Sequence, residues 1–297
     1  MASRLPEQPI SPEQPMSAVH PSQRTCTSRA GRNLWAAIVV GLLMGSAILA
    51  ALFTVRQVFI GIVSVTVGVS TWELAGALRR AGVGVSLPPV LLGGQAMVWL
   101  AWPFGRDGLL VAFVITALLC LVWRFPKGAA GYVRDVTASV FSAAYVAGFA
   151  AFATLLVVPI DGAARVSCLM FAGVASDIGG YAAGVLGGRH LMAPAISPKK
   201  SWEGFLGSLV AGTAAGVASV ILLLGGQLWQ GLLFGAAIVL SATGGDLVES
   251  LIKRDLGVKD MGTVLPGHGG LMDRMDSLLP SAVVSWLLLS LMVPVSA

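Results

Sequence analysis

Charge is what this chain has least of. Charged residues make up 11% of its 297 positions, whereas soluble domains carry roughly 25%. Hydrophobic residues reach 56%, and mean hydropathy is +0.84. So little charge cannot cover the surface of a soluble globule of this size, and lipid is the expected solvent for most of the chain. Cysteine is scarce too. Cys26, Cys120 and Cys168 are scattered, form no CxxC pair, and in two cases fall inside apolar runs where the thiol acts as a small hydrophobe. That pattern argues against a zinc site and against a disulfide framework. No internal repeat is evident, which counts against a transporter built from inverted halves. A net charge of +5 suggests a nucleic-acid partner only if the positions of the basic residues are ignored, and none is expected.

Residues 1–33 are rich in Pro, Ser and Gln and have almost no large apolar periodicity. Such a segment cannot bury enough surface to offset its ordering entropy, so a disordered polar tail is expected. The apolar run from about Leu34 is long and lacks an A-x-A cleavage site, so it reads as a span rather than a signal peptide. Apolar segments follow at about 34–54, 57–77, 84–103, 108–124, 136–159, 163–186, 204–225, 228–248 and 278–296. Each is near the roughly 20 residues that a bilayer span requires. The expected fold is therefore all-α, a polytopic integral membrane protein of about nine transmembrane helices. Residues 34–160 form an N-terminal set of helices, and residues 161–297 form a catalytic region. Pro88 and Pro89 mark a helix start or kink early in the third span.

Lys and Arg set the orientation. With the tail inside and the spans alternating, 16 of the 19 basic residues fall on the inner side, and only Arg56, Arg106 and Arg165 fall outside. An error of one span would scramble this split. The N-terminus is thus expected in the cytoplasm and the C-terminus outside, in the plasma membrane. The two long loops, 187–203 and 249–277, are then both cytoplasmic, and function is expected where a compact membrane protein keeps its non-membrane residues.

The second of these loops is the most charged stretch of the chain. A loop that only sets topology needs Lys and Arg but not the interleaved acids Asp255, Asp260, Asp273 and Asp276. Asp273 and Asp276 stand three apart, on one face of a helix. Two such carboxylates suit Mg²⁺, which takes one or two of them plus substrate phosphates. Asp246 and Glu249 form a second acidic pair, and convergence of Asp246 with Asp273 and Asp276 would allow two cations. Lys253, Arg254, Lys259 and Arg274 are placed to neutralise a polyphosphate. The run Pro266-Gly267-His268-Gly269-Gly270 reads as a turn whose backbone N–H groups cradle an anion, with His268 against phosphate or base. In the other loop, Ser197-Pro198-Lys199-Lys200 reads as a turn presenting two cations. Before it, Asp177 and Tyr181 sit at i, i+4, beside Gly180, Gly184 and Gly188, whose spacing suggests close helix packing. An acid inside a span is a functional candidate by default. Glu73 reads as a helix-end residue paired with Arg79 and Arg80. Asp107, Asp135 and Asp161 flank helix termini and are assigned no chemistry.

The stretch from Ser250 to Asp276 resembles the signature of the phosphatidate cytidylyltransferases, or CDP-diacylglycerol synthases. That pattern runs S-x-apolar-K-R, four residues, K-D, a small residue, an apolar residue and a turn, then H-G-G-apolar-x-D-R-apolar-D; the S-x-apolar-K-R, K-D and H-G-G-apolar-x-D-R-apolar-D positions are met, with Met261-Gly262 after K-D. A second stretch is also similar: Ser176-Asp177, Tyr181, Gly184, Gly187, Pro194, Ser197 to Lys200, and Trp202-Glu203-Gly204. Ser201 stands where Thr is expected. The resemblance implies transfer of CMP from CTP to phosphatidic acid, giving CDP-diacylglycerol and pyrophosphate. It implies metal at Asp246, Asp273 and Asp276, with two cation sites of which one is Mg²⁺. The implied catalytic set adds Lys253, Arg254, Lys259, Asp260, His268 and Arg274. Asp177, Tyr181, Ser197, Lys199, Lys200, Ser201, Glu203, Gly269 and Gly270 would contact substrate. Membrane lipids are the surroundings, and homodimerisation is expected from the resemblance alone. The alternatives are another CTP-dependent lipid phosphotransferase, such as a polyprenol or phytol kinase, and a cation-coupled transporter with Asp177 as its ion site. A phospho-sugar transferase is disfavoured because the chain has no adjacent Asp-Asp pair.

Overall fold

The structure is a computed structural model that describes residues 50 and 52–295, apart from 263 and 265–269. The predicted tail, most of the first span and the tip of the glycine-rich turn lie outside the described residues. The rest is almost wholly helical. In chain order come α1 (Arg56–Arg80), α2 (Leu87–Trp123), a 3₁₀ turn (Phe125–Lys127) and α3 (Tyr132–Val157). Then follow α4 (Gly162–Gly187), a short hairpin of β1 (Leu191–Ala193) and β2 (Ser197–Ser201), α5 (Trp202–Leu224), α6 (Leu228–Asp255), α7 (Met272–Met275) and α8 (Leu278–Met292).

Among the described residues, seven helices are long and apolar enough to cross a membrane. Their outer faces carry the large apolar side chains that a soluble protein would bury. Leu110, Val114, Leu118 and Val122 all stand exposed along one side of α2, as expected of a helix solvated by lipid tails. One of the seven, α2, counts as two arms. Gly105 breaks it with φ +58° and ψ −138°, a left-handed conformation open to glycine at little cost. Gly93 lies directly against Thr116, and Gly108 against the Leu100 carbonyl. In a straight helix Gly93 and Thr116 would stand roughly 35 Å apart. The spans predicted at 84–103 and 108–124 are therefore the antiparallel arms of a tight helical hairpin. The first predicted span, 34–54, falls almost entirely outside the described residues, so the count of nine is not established.

Each end of the bundle is tied by a buried arginine. At one end, Arg165 pairs with Asp161 at 2.8 Å and donates to the carbonyls of Leu289 and Val293, joining α4 to the end of α8. Arg56 bonds the carbonyls of Pro159 and Ile160 there. At the other end, Arg124 pairs with Asp135 at 3.0 Å and donates to the carbonyls of Gly128 and Ala130, while Asp135 also accepts from the Gly84 N–H. Asp135 and Asp161, read from the sequence as helix-end residues with no chemistry assigned, thus form structural ion pairs. Cys120 and Cys168 are buried free thiols.

Among the described residues, the most extensive helix contact is between α4 and α5. Gly180 and Gly184 meet Gly204 at van der Waals distance, and Gly179 meets Gly207. Small residues at this spacing let two backbones approach where lipid supplies no hydrophobic drive for association. Ser208 then reaches across to donate to the Ser176 carbonyl at 2.8 Å. This contact fixes Asp177 on α4 opposite the start of α5.

Candidate active site

Between α4, α6, the α7 segment and the start of α5 the chain forms a cavity of about 390 Å³. Asp177 and Tyr181 reach it from α4, Lys200 and Ser201 from β2, Asp246 from α6, and Asp273, Arg274 and Asp276 from the α7 segment. Four carboxylates face two cationic side chains, so at formal charge the lining has an excess of negative charge. Beside it lies a broader basin of about 790 Å³, lined by Ser197, Ser250, Lys253, Arg254 and Lys259, where the balance is positive. Of the charged residues interleaved in sequence, Asp246, Asp273, Arg274 and Asp276 line the first, acidic cavity and Lys253, Arg254 and Lys259 the second, basic one.

Lys253 is the partition. Its Nζ donates to Glu249 Oε2 at 2.7 Å, one helical turn back, and to Asp273 Oδ1 at 3.1 Å. Glu249 is wholly buried, and a buried carboxylate is tolerated when paired and hydrogen-bonded. Asp273 also accepts from the Met261 N–H at 3.1 Å and the Gly270 N–H at 2.8 Å. One carboxylate therefore closes the loop that carries the glycine-rich turn. Lys200 meets Asp246 at 2.6 Å and ties the β-hairpin to α6. Asp276 Oδ1 accepts from the Ser277 N–H at 2.6 Å at the head of α8, and Gly245 lets the Asp276 carbonyl lie against α6.

The predicted residues divide into three groups. Asp177, Tyr181, Lys200, Ser201, Asp246, Asp273, Arg274 and Asp276 line the acidic cavity, and Ser197, Lys253, Arg254 and Lys259 line the basic one. Local hydrogen bonds define a second group. Ser201 caps α5, its Oγ accepting from the Gly204 N–H at 3.1 Å. Glu203 accepts from the N–H groups of Arg189 and His190 and meets His190 Nδ1 at 2.6 Å, which clasps the hairpin. The Gly270 N–H goes to Asp273 rather than to an open anion site. Asp260 is exposed and lines neither cavity. The third group, His268, Gly269 and the Lys199 side chain, lies outside the described residues.

Asp246, Asp273 and Asp276 share the acidic cavity, but among the described residues no three His, Cys, Asp or Glu side chains converge closely enough to ligate one ion. Asp246 and Asp273 each meet an ammonium instead. The donor set still fits Mg²⁺, a hard ion bound by one or two carboxylates and otherwise by phosphate and water.

One participant was misplaced by the sequence reading. Glu73 is not paired with Arg79 or Arg80 at a helix end. It is buried in α1, and its Oε2 accepts from the Met272 N–H at 2.8 Å. Gly262 and Gly270 pack directly on its carboxyl group. Arg80 instead donates to the Met261 carbonyl at 3.1 Å. Arg80 thus holds one end of the 261–272 segment, at Met261, and Glu73 the other, at Met272. The available signal was an acid inside an apolar span.

A model of the cytidylyltransferase family matches residues 35–292. The chain belongs to this family. A phosphatidate cytidylyltransferase of Mycobacterium bovis is 49% identical over 293 residues, covering 94% of this chain and 96% of the relative. One from Mycobacterium leprae is 49% identical over 282 residues, 90% of each chain. One from Staphylococcus aureus is 43% identical over 107 residues, 35% of this chain and 40% of the relative. The family resemblance read from Ser250 to Asp276 therefore extends over nearly the whole chain, including the helices that were recognisable only as apolar.

Proposed function

We infer that this membrane protein is a phosphatidate cytidylyltransferase, which transfers CMP from CTP to phosphatidic acid. The 49% identity over 94% of the chain to an enzyme of that name carries the reading, and the paired cavities suit the chemistry. A phosphate oxygen of the lipid attacks the α-phosphorus of CTP. The bond from that phosphorus to the bridging oxygen of the β-phosphate breaks, and pyrophosphate leaves with the electron pair. The lipid phosphate is already ionised, so the attack needs no general base. Two anions must be brought together, so positioning and fixed positive charge do most of the work. Lys253, Arg254 and Lys259 would hold the β- and γ-phosphates in the basic cavity. Arg274 and Lys200 would receive the lipid phosphate in the acidic one.

The negative excess around Asp177, Asp246, Asp273 and Asp276 opposes an incoming triphosphate and favours a cation with it. Asp246 and Asp276 would hold Mg²⁺ together with substrate oxygens, and the ion would neutralise charge developing on the phosphates. Asp273, already bonded to two N–H groups and Lys253, is a positioning residue in this proposal. A second cation at Asp177 is carried with it. The site end is proposed to face the cytoplasm, in the plasma membrane, as the basic-residue bias suggests. Homodimerisation is part of the proposal and is tested by cross-linking.

Purified protein incubated with phosphatidic acid and labelled CTP, with and without Mg²⁺, is expected to form CDP-diacylglycerol and pyrophosphate only with the ion. Release of CDP instead would assign a kinase reaction. Absence of either product would sink the reading.

A further inference from the structure

The acidic cavity does not end at the carboxylates. Asp177, Ala242, Arg274 and Ser277 also line a smaller cavity of about 130 Å³, whose far wall is Leu169, Met170, Val174 and Leu278. Leu169, Met170 and Leu278 in turn line a third cavity of about 160 Å³ between α1, α3, α4 and α8. Phe59, Ile62, Ala153 and Ala282 complete its wall, and Thr66 supplies the only hydroxyl among its described lining residues. The three spaces share walls in sequence. They run from charged, through mixed, to apolar, the polarity order of a lipid from phosphate through glycerol to hydrocarbon.

We propose that the apolar cavity between α1, α3, α4 and α8 is a binding site for one acyl chain of the lipid substrate, entered past Arg274 and Ser277. The proposal rests on the reading that the acidic cavity receives a lipid phosphate. An apolar cavity of roughly this size stays dry and accepts a benzene-sized guest, so it holds a segment of a chain rather than its whole length. Bilayer tails are as apolar as the cavity wall, so transfer from lipid to protein gives little hydrophobic gain. Discrimination comes from shape. A chain long enough to reach the cavity fills a void that would otherwise lack packing partners, and a short one leaves it unfilled. The site therefore selects for chain length. Ala153 and Ala282 decide how much room there is, because small side chains stand there on α3 and α8.

The test is internal competition, which reports the ratio of kcat/KM for two substrates and is insensitive to the amount of active enzyme. Didecanoyl and dioctadecenoyl phosphatidate are mixed in the same vesicles, and the two CDP-diacylglycerol products are counted by mass spectrometry. Ala282→Phe and Ala153→Phe should each lower the long-to-short product ratio about fivefold or more, equivalent to a loss of roughly 1 kcal/mol. A ratio within about twofold of the unsubstituted protein in either active variant overturns the proposal. The unsubstituted protein gives a second measurement that does not depend on the variants folding. Phosphatidate with a diazirine at the end of one acyl chain should label Met170 or residues 278–282. Labelling confined to exposed side chains of α2 such as Leu110, Val114, Leu118 and Val122 overturns the proposal. If the unsubstituted protein forms no CDP-diacylglycerol at all, the functional reading itself has failed instead.

Discussion

Lys253 and Asp273, twenty residues apart in sequence, meet at 3.1 Å on the wall between the acidic and basic cavities. The same ammonium is bonded to the buried Glu249. Removing one partner from a buried ion pair costs about 3–5 kcal/mol, because the other charge is left uncompensated. Lys253→Met is therefore expected to lower thermal stability in micelles as well as abolish CDP-diacylglycerol formation. Arg254→Met, on the exposed side of the same turn, should lower turnover with little change in the unfolding temperature. Equal loss of stability in the two variants would contradict the partition role assigned to Lys253.

The three candidate metal carboxylates differ in their partners, and so should their variants. Asp273 bonds two backbone N–H groups and an ammonium, whereas Asp276 meets the adjacent Ser277 N–H and the buried Glu249 side chain, and no ammonium among the described residues holds it. Asp246→Asn and Asp276→Asn are expected to raise the Mg²⁺ concentration that gives half-maximal rate. Asp273→Asn is expected to lower kcat by about a hundredfold or more, in the range of a lost transition-state contact, while leaving the Mg²⁺ midpoint in place. Mg²⁺ titrations of all three variants check this. A shifted midpoint in Asp273→Asn would make that residue a ligand.

The contrast between Asp273 and Glu73 shows what a sequence exposes. Asp273 sits among Lys253, Lys259, Asp260, Arg274 and Asp276, a dense local cluster in an apolar chain, so its participation is legible from neighbours. Glu73 has no charged neighbour nearer than Arg79 and Arg80, more than a turn away. Its partner, the Met272 N–H, is 199 residues downstream. Backbone amides carry no residue-specific signal, and no local pattern announces such a contact. The helical hairpin was legible for the opposite reason. Pro103, Gly105, Arg106 and Asp107 interrupt the apolar run, and Gly105 adopts the dihedrals that reverse the chain. Ser201 lines the acidic cavity, whereas Glu203 lines neither. Their tasks as a helix cap and a hairpin clasp depend on Gly204 and His190 geometry that spacing alone does not reveal.

The close approach of α4 to α5 gives a packing prediction. Gly204 lies against the Gly180 carbonyl and Gly184 Cα, whereas Gly187, one turn beyond Gly184, has open space where a side chain would stand. Gly204→Val should separate the helices, displace Asp177 from Lys200, and reduce stability by about 1–3 kcal/mol as overpacking does. Gly187→Ala should be tolerated. Thermal unfolding and turnover, measured together on both variants, decide it. A destabilised Gly187→Ala would mean that the glycines act through backbone conformation rather than proximity.

Glu73 touches neither of the two cavities described around the site, yet it holds the strand of chain between them. Its carboxyl group fills the space between Gly262 and Gly270 and accepts from Met272, which places Asp273 one residue further on. Glu73→Ala removes both the acceptor and the volume. A buried N–H left without a partner costs about 1–3 kcal/mol. If that loss falls on loop position, kcat should drop by roughly ten- to a hundredfold. Glu73→Gln retains a carbonyl oxygen of the same reach for the Met272 N–H and should keep most of the activity. The decisive readout is this rescue, together with an unchanged Mg²⁺ midpoint in both variants. If Glu73→Gln is as inactive as Glu73→Ala, the negative charge matters rather than the acceptor, and Glu73 acts on the electrostatics of the site instead of the position of its loop.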